Sequence, residues 1–299
     1  MTSFESRSKE YISLINEAAA KYVSPSSFEG RESSGLDVML EVMSYSLENG
    51  GKRIRPMLTL EFCRLCGGDW KRAVPLALGV EMIHTYSLIH DDLPCMDNDD
   101  MRRGKPSNHK VYGEANALLA GDGLLTLAFE TVLSAELEPE KKAAAGLELA
   151  KAAGCSGMIG GQVMDLANEG RSATLEEIRK TDSLKTGEMI KVAAVMGCIA
   201  AGAGEAQVAA AAEYCTNIGL AFQIVDDILD VTSSEEMLGK PIGSDSENGK
   251  STYVSLLGLE KSAHLVKELT KKAKEALNIF DGEKDFLAEL ADMLADRKN

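Results

Sequence analysis

The chain has 299 residues, of which 44% are hydrophobic, enough for one large core, so we expect a single domain over residues 1–299. Its 47 acidic and 32 basic residues give a net charge of −15, which disfavours nucleic acid and anionic membrane surfaces as partners. An anionic small molecule would need metal ions or a local basic cluster to bind such a protein.

Targeting and redox signals are sparse. The N-terminal segment is polar and amphipathic, and no segment approaches ~18 uninterrupted apolar residues. These features predict a soluble, cytoplasmic protein without a membrane anchor. The six cysteines of a chain this long are expected to be reduced thiols rather than a disulfide scaffold.

Helix-forming residues dominate the sequence, strand-like alternation is missing, and aromatic content is only 5%, so the predicted fold class is all-α. The first motif in chain order is GGKRIRP, which places Lys52, Arg53 and Arg55 after two glycines. A basic cluster of this kind, taken alone, is typical of a solvated surface.

The next motif ends an apolar helix that we expect to run from Pro75 to Leu93. Asp91 and Asp92 fall at its C-terminal end, where the helix dipole is negative, so a cation must compensate their charge. Hard carboxylate oxygens suit Mg²⁺, and Asp97 can fold back toward Asp91 after the Pro94 turn. A second basic cluster follows directly, formed by Arg102, Arg103 and Lys105.

A capping box of Thr174 and Glu177 begins the helical region that contains Lys185 and Thr186, and Gly197 and Gly202 are expected to loosen its end.

The second aspartate motif lies in FQIVDDILD. Gln223, Asp226, Asp227 and Asp230 are spaced i, i+3, i+4 and i+7, which puts them on one face of a helix. Such a stripe either faces solvent or lines a cavity. Because apolar residues fill the rest of the circumference, we favour the cavity. A polar loop, residues 239–252, follows and contains Lys240.

Taken together, the motifs resemble those of the bacterial trans-isoprenyl diphosphate synthases, most specifically the farnesyl diphosphate synthases. They are GGKRIRP, HTYSLIHDDLPCMDNDDMRRGKPSNHK, GDGLLTLAFE, GGQVMD, LKTG, FQIVDDILD and GKPIGSD, in this order over most of the chain. The resemblance implies an antiparallel helical bundle around a deep central cavity, usually as a homodimer. It also implies Mg²⁺-dependent head-to-tail condensation of isopentenyl diphosphate with dimethylallyl and geranyl diphosphate to (E,E)-farnesyl diphosphate.

The resemblance also assigns roles to individual residues. Two to three Mg²⁺ ions would be held by Asp91, Asp97 and Asp226, with Asp92, Asp227 and Asp230 as auxiliary ligands. The allylic diphosphate would contact Arg102, Lys185 and Lys240, and isopentenyl diphosphate would be held by Lys52, Arg55, His84 and Arg103. Thr186 and Gln223 would face the reacting allyl carbons, where their oxygen dipoles stabilise positive charge.

Product length is implied by Tyr86. An aromatic residue five positions before the first aspartate is the farnesyl-synthase pattern, and such a floor would stop growth at C15. Two residues keep a second interpretation: Tyr86 as an ordinary core tyrosine, and His84 as a histidine satisfied within the core. Arg297 and Lys298 near the chain end are candidates for closing the site.

Three other functions remain open. A geranylgeranyl diphosphate synthase would share every motif and differ only in the floor of the cavity. A class I terpene cyclase would not need the isopentenyl diphosphate site, so the intact GGKRIRP motif and Arg103 argue against it. A non-catalytic, cation-binding helical subunit would be expected to have lost part of the motif set.

Overall fold

The computed structural model describes residues 3–30, 33, 35–232 and 251–297, and within them the chain is helical almost throughout. The prediction of an all-α protein is confirmed. The N-terminal half contains α1 (Ser3–Tyr22), α2 (Leu36–Leu47), α3 (Ile54–Leu65), α4 (Val74–Asp91), α5 (Asn108–Tyr112), α6 (Glu114–Leu133) and α7 (Pro139–Ala153). Between α4 and α5, β1 (Met101–Arg102) and β2 (Lys105–Pro106) form a short antiparallel hairpin in which Arg102 pairs with Lys105.

The C-terminal half continues the bundle. It contains α8 (Met158–Asn168), α9 (Leu175–Asp182), a π-helical turn (Ser183–Gly187), α10 (Glu188–Ala201) and α11 (Glu205–Thr232). After residue 250 come α12 (Tyr253–Leu257), α13 (Leu259–Ala276) and α14 (Asp285–Ala295). Single 3-10 turns cover Pro25–Phe28, Trp70–Ala73 and Leu277–Ile279.

Local sequence signals explain several helix boundaries. Pro75 and Pro139 stand in the first turns of α4 and α7, where a missing backbone N–H costs nothing. The predicted capping box is present: the backbone N–H of Thr174 donates to Oε2 of Glu177 at 2.7 Å, and that of Glu177 donates to Oγ1 of Thr174 at 3.3 Å. Gly202, with a φ of 77°, ends α10 in the left-handed conformation that favours glycine.

Glycines set how closely the central helices pack. A Cβ at Gly79 of α4 would lie 2.5 Å from Cγ2 of Val132 in α6. A Cβ at Gly197 of α10 would lie 2.2 Å from the carbonyl oxygen of Thr59 in α3. The expectation that Gly197 loosens the end of its helix is therefore wrong, since the missing side chain lets α10 press against the backbone of α3. Gly202 alone ends the helix.

Among the residues that the structure describes, α6 and α11 are long and apolar enough to cross a membrane by length and composition. Each helix contributes buried side chains to the bundle, and in both of them 44% of the most apolar stretch is buried. A core helix of a water-soluble protein passes the same test, so this is weak evidence for a membrane span. All six cysteines are free thiols, as predicted.

Candidate active site

The end of α4 brings two of the sequence-predicted aspartates together. Asp91 is the last residue of the helix, and the backbone N–H of Asp97 donates to its carbonyl oxygen at 2.8 Å, which folds the chain back after Pro94. Burial, and then the charges of Asp97 and Asp92, raise the pKa of Asp91 to about 6, against the opposing effect of Lys185 and Arg102. Burial, more than any charged neighbour, therefore disfavours the ionised form of Asp91.

Asp92 has a different environment from its neighbour. Its side chain is buried and accepts hydrogen bonds from Nε of Arg102 at 2.9 Å and from Nη2 of the same guanidinium. The β1–β2 hairpin positions Arg102 for this contact, and Nη2 also donates to Oδ2 of Asp99 at 3.1 Å. Burial still raises the pKa of Asp92, although Arg102 opposes it. The pair thus fixes one guanidinium beside the aspartate motif.

The GGKRIRP segment is held by its middle arginine. Arg53 is buried with a left-handed φ of 49°, and its Nη1 donates to Oε1 of Glu81 at 2.7 Å while Nη2 donates to the carbonyl oxygen of Leu47 at 2.5 Å. Arg53 therefore has a structural role, and Glu81, a buried acid on α4, is its counter-ion. Sequence reasoning did not identify Glu81, because a single glutamate in an apolar helix carries no motif.

The two basic clusters meet at the paired glycines. Nη1 of Arg103 donates to the carbonyl oxygen of Gly50 at 2.6 Å, and a Cβ at Gly51 would lie 2.7 Å from Cζ of Arg103. Gly51 also has a φ of +111°, which L side chains rarely adopt. The glycines therefore let the guanidinium of Arg103 lie against the backbone of the first cluster.

The pKa values of His84, Lys52 and Arg55 show the effect of burial and of nearby positive charge. Burial, and then repulsion by Arg55 and Arg103, hold the pKa of His84 well below its usual range, so the imidazole is neutral near pH 7. Desolvation and the charge of Arg297 lower the pKa of Lys52, and burial lowers that of Arg55 despite Glu81. Cationic groups that disfavour one another's charge are suited to binding an anion.

Lys185 projects from the π-helical turn between α9 and α10. Its Nζ donates to Oδ2 of Asp165 at 2.7 Å. Burial alone would lower the pKa of Lys185, but Asp165, Asp91 and Asp97 outweigh it and the pKa is raised. A Cβ at Gly161 of α8 would lie 2.2 Å from the backbone nitrogen of Lys185, so α8 reaches this turn only with glycine there.

Asp165 is a second functional candidate that the residue-by-residue reasoning did not assign. Its signal lies in the GGQVMD motif, because Gly161 and Asp165 are spaced i, i+4 on one face of α8. Glu188 follows the same turn as the first residue of α10, and its carboxylate accepts a hydrogen bond from Nζ of Lys191 at 2.5 Å.

The aspartate stripe of α11 is buried at Asp230 and half-buried at Asp226 and Asp227. Oδ2 of Asp227 accepts from the backbone N–H of Tyr253 at 2.7 Å. Asp226 accepts a hydrogen bond from the guanidinium of Arg297, which also lies 4.4 Å above the ring of Phe222. The chain end therefore reaches the stripe.

Two adjoining cavities are lined by part of the predicted site; Lys52, Asp97, Arg102, Arg103 and Asp226 line neither of them. The larger, about 410 Å³, is lined by charged groups at Arg55, Asp91 and Lys185 and by apolar side chains that include those of Ile159 and Val163. His84, Tyr86 and Thr186 also line it. The smaller, about 210 Å³, is lined by Gln223, Asp227 and Asp165 and shares Lys185 and Thr186 with the first. A polar compartment thus opens into an apolar one.

No group of three or more His, Cys, Asp or Glu side chains is arranged to hold a metal ion in the part of the chain that the structure describes. Asp91 and Asp97 adjoin, whereas Asp226 lies on a different helix and is bound to Arg297. Lys240 and Lys298 lie outside the described residues.

Known proteins resemble the chain over most of its length. The Polyprenyl synthetase family model matches residues 37–283. The chain is 48% identical over 264 residues to the farnesyl diphosphate synthase of Bacillus subtilis, covering 87% of this chain and 89% of the relative. It is 49% identical over 266 residues to a chloroplastic geranylgeranyl pyrophosphate synthase of Capsicum annuum, covering 88% and 72%.

Solved structures give the same result. The crystal structure of geranylgeranyl pyrophosphate synthetase from Pyrococcus horikoshii superposes with a TM-score of 0.87 at 34% identity, covering 98% of each chain. That of an FPP/GFPP synthase from Zymomonas mobilis gives 0.85 at 34% identity, covering 96% of this chain and 97% of the other. With its aspartate motifs, basic clusters and cavity in the places described, the chain belongs to the polyprenyl synthetase family of prenyl diphosphate synthases.

Proposed function

We propose that this chain condenses isopentenyl diphosphate head-to-tail with dimethylallyl diphosphate and then geranyl diphosphate, giving (E,E)-farnesyl diphosphate in a Mg²⁺-dependent reaction. The observation that carries the proposal is the cavity of about 410 Å³, which has Asp91, Arg55 and Lys185 among its polar groups and a wall of apolar side chains. Such a cavity suits a substrate with a diphosphate head and a hydrocarbon tail.

The carboxylates fit the metal that the reaction needs. Asp91, Asp97 and Asp226 offer the hard oxygen ligands that Mg²⁺ prefers, and Asp91 lines the cavity of about 410 Å³. Asp92 and Asp227 already have partners in Arg102 and the backbone of Tyr253, so we assign them to positioning or water-mediated contacts. Bound Mg²⁺ would supply positive charge that stabilises the departing diphosphate.

The basic residues divide between two diphosphates. Lys185, Arg102 and Lys240 are assigned to the allylic substrate, since Lys185 is electrostatically coupled to Asp91 and Asp97. The second set holds isopentenyl diphosphate and consists of Lys52, Arg55, His84 and Arg103. In this set the lowered pKa values of Lys52 and Arg55 indicate cations that an anion would stabilise. His84 would act as a neutral hydrogen-bonding group there, because its pKa is depressed.

The chemistry then follows from charge. The allylic C–O bond breaks, and its electron pair leaves with the diphosphate, which Lys185 and Arg102 stabilise. Thr186 lies next to Lys185 at the junction of the two cavities, and Gln223 lines the smaller cavity, so their oxygen dipoles can stabilise the allylic cation. The alkene of isopentenyl diphosphate forms the new C–C bond, and the released diphosphate accepts the proton that is lost.

The relatives do not decide the product length, because this chain is 48% identical to a farnesyl diphosphate synthase and 49% identical to a geranylgeranyl pyrophosphate synthase. Tyr86 favours the farnesyl product, because its buried ring lines the cavity one and a half turns of α4 before Asp91, about 7.5 Å along the helix axis. A geranylgeranyl synthase is the second candidate and requires that Tyr86 does not limit growth.

We also propose a cytoplasmic homodimer. Helices α5 and α6 expose a set of large apolar side chains, which are those of Val111, Leu118, Leu119 and Leu133. Exposed apolar side chains along adjoining helices are typical of a subunit interface. Analytical ultracentrifugation tests this, and a monomer at micromolar concentration would contradict it.

Product analysis tests the main proposal. The protein is incubated with Mg²⁺, isopentenyl diphosphate and dimethylallyl diphosphate, and the dephosphorylated alcohols are separated by chromatography. We expect farnesol as the main product and no product when a chelator removes the metal. Geranylgeraniol as the main product would support the second candidate, and failure to condense the substrates would favour a non-catalytic cation-binding subunit.

A further inference from the structure

Tyr86 has no polar anchor. Its side chain is 5% exposed and lines the cavity, yet its hydroxyl has no hydrogen-bond partner among the residues that the structure describes. A buried tyrosine is usually held by its hydroxyl. The position of this ring therefore depends on packing against its neighbours.

The neighbour one turn along α4 is His90. The two ring centroids are 5.6 Å apart and the planes meet at 78°, an edge-to-face arrangement. Both rings line the same cavity. A ring fixed at His90 therefore restricts the orientations that Tyr86 can adopt.

His90 is itself fixed from a different helix. Its Nε2 lies 3.0 Å from the carbonyl oxygen of Leu118 in α6, and because a carbonyl only accepts, Nε2 is the donor. Oδ1 of Asp122 is 4.0 Å from the same nitrogen, too far for a hydrogen bond. The tether is thus to the backbone of α6.

Gly121 provides the space for this tether. A Cβ at that position would lie 2.1 Å from Nε2 and 2.4 Å from Cδ2 of His90, distances at which one of the groups must move. The first glycine of the GDGLLTLAFE motif therefore lets the imidazole reach the backbone of α6. This glycine does not itself line the cavity.

We infer that His90 is a positioning residue for product length. The backbone of α6 holds His90 through the hydrogen bond that Gly121 permits, and His90 holds the ring of Tyr86 across the growing hydrocarbon tail. The inference rests on the proposed role of Tyr86 as the floor of the cavity, and it adds His90 and Gly121 as the residues that position that floor.

The test compares two glycine substitutions on one helix. Gly121→Ala displaces His90. A Cβ at Gly123, two residues later on α6, would have as its nearest neighbours Sδ of Met43 at 3.0 Å and Sδ of Met39 at 3.7 Å, both in flexible side chains. Products are compared at equal conversion. We expect Gly121→Ala and His90→Ala to raise the share of products longer than C15 by about 2- to 10-fold, the range expected for losing one aromatic contact. Gly123→Ala should match the wild type.

Epistasis separates this role from a general loss of structure. Because His90 acts through Tyr86, adding His90→Ala to Tyr86→Ala should not lengthen the products further. An unchanged or shortened distribution in both Gly121→Ala and His90→Ala would overturn the inference, as would additive lengthening in the double variant. If Gly121→Ala loses helical content by circular dichroism, His90→Ala and the double variant decide. Failure of Tyr86→Ala itself to lengthen the products would instead overturn the proposed floor.

Discussion

Lys185 and Asp165 form an ion pair at 2.7 Å that joins the π-helical turn to α8, and both side chains are largely buried. The pair fixes Nζ of Lys185 near Asp91 and Asp97, which raise the pKa of the lysine together with Asp165. Lys185, which is proposed to bind the leaving diphosphate, is therefore positioned by Asp165 as well as by the carboxylates of the aspartate motif.

Asp165→Asn should reduce kcat by about 10- to 100-fold with a smaller change in KM, because a misplaced Lys185 loses mainly its stabilisation of the transition state. Steady-state kinetics with the allylic substrate varied measures this. Glu188→Gln is the matched control, because it breaks the ion pair to Lys191 at the other end of the same turn and should leave kcat close to that of the wild type.

Asp91→Ala and Asp226→Ala should each lower turnover by several orders of magnitude and leave the helical content unchanged, because Asp91 is repelled by its acidic neighbours and Asp226 contributes one partly exposed ion pair. Activity assays and circular dichroism measure the two effects. Asp100→Asn is the control, since that exposed side chain of the same loop pairs with Lys110. Unfolding of either alanine variant, or near-normal activity in both, would contradict the metal assignment.

The two proposed diphosphate sites should be distinguishable by steady-state kinetics. Lys52→Ala or Arg55→Ala should mainly raise KM for isopentenyl diphosphate, because these groups bind it before and during reaction alike. Lys185→Ala should mainly lower kcat. Varying each substrate in turn measures both parameters, and one common profile for all three variants would show that the division is wrong.

Asp182 should make the metal-free protein less stable as the pH rises. Burial, and then the charges of Asp165 and Asp226, raise its pKa from 3.8 to about 6, although Tyr253 and Lys185 oppose this. A raised carboxyl pKa stabilises the protonated folded state, so this contribution is full below the unfolded pKa and is lost as pH rises through about 6.

The check is the melting temperature of the wild type and Asp182→Asn at pH 4, 5, 6 and 7 in a chelator. The difference between the two proteins should grow in favour of the variant as pH rises. Asp122→Asn, at an exposed acid of α6, is the control substitution.

Tyr86→Ala should shift the products from C15 to C20 and longer, because the substitution removes the buried ring from the cavity wall. Chromatography of the alcohols measures the shift. Ser87→Ala is a useful companion on the adjacent wall position, since it removes only a hydroxyl that donates to the carbonyl oxygen of His84. A Tyr86→Ala variant that still stops at C15 would show that another residue limits growth.

Much of this could be predicted from the sequence because the signals are local. Helix class, the capping box at Thr174 and the return of Asp97 toward Asp91 depend on residues close along the chain. The counter-ion Glu81 could not be found this way, because a lone glutamate acquires its role only when Arg53 packs beside it. Asp165 lay within a recognised motif, but only the packing of α8 on the π-helical turn assigns it a partner.

The close packing of α3 and α10 at Gly197 and Thr59 has a mechanical consequence. Arg55 stands in the first turn of α3, and the turn that carries Lys185 leads directly into α10. The helices α3 and α10 pack here without an intervening side chain, so the spacing between Arg55 and Lys185, which are proposed to bind different diphosphates, is built in before either substrate arrives. Substrate binding can then move other parts of the protein without changing the distance over which the new carbon–carbon bond must form.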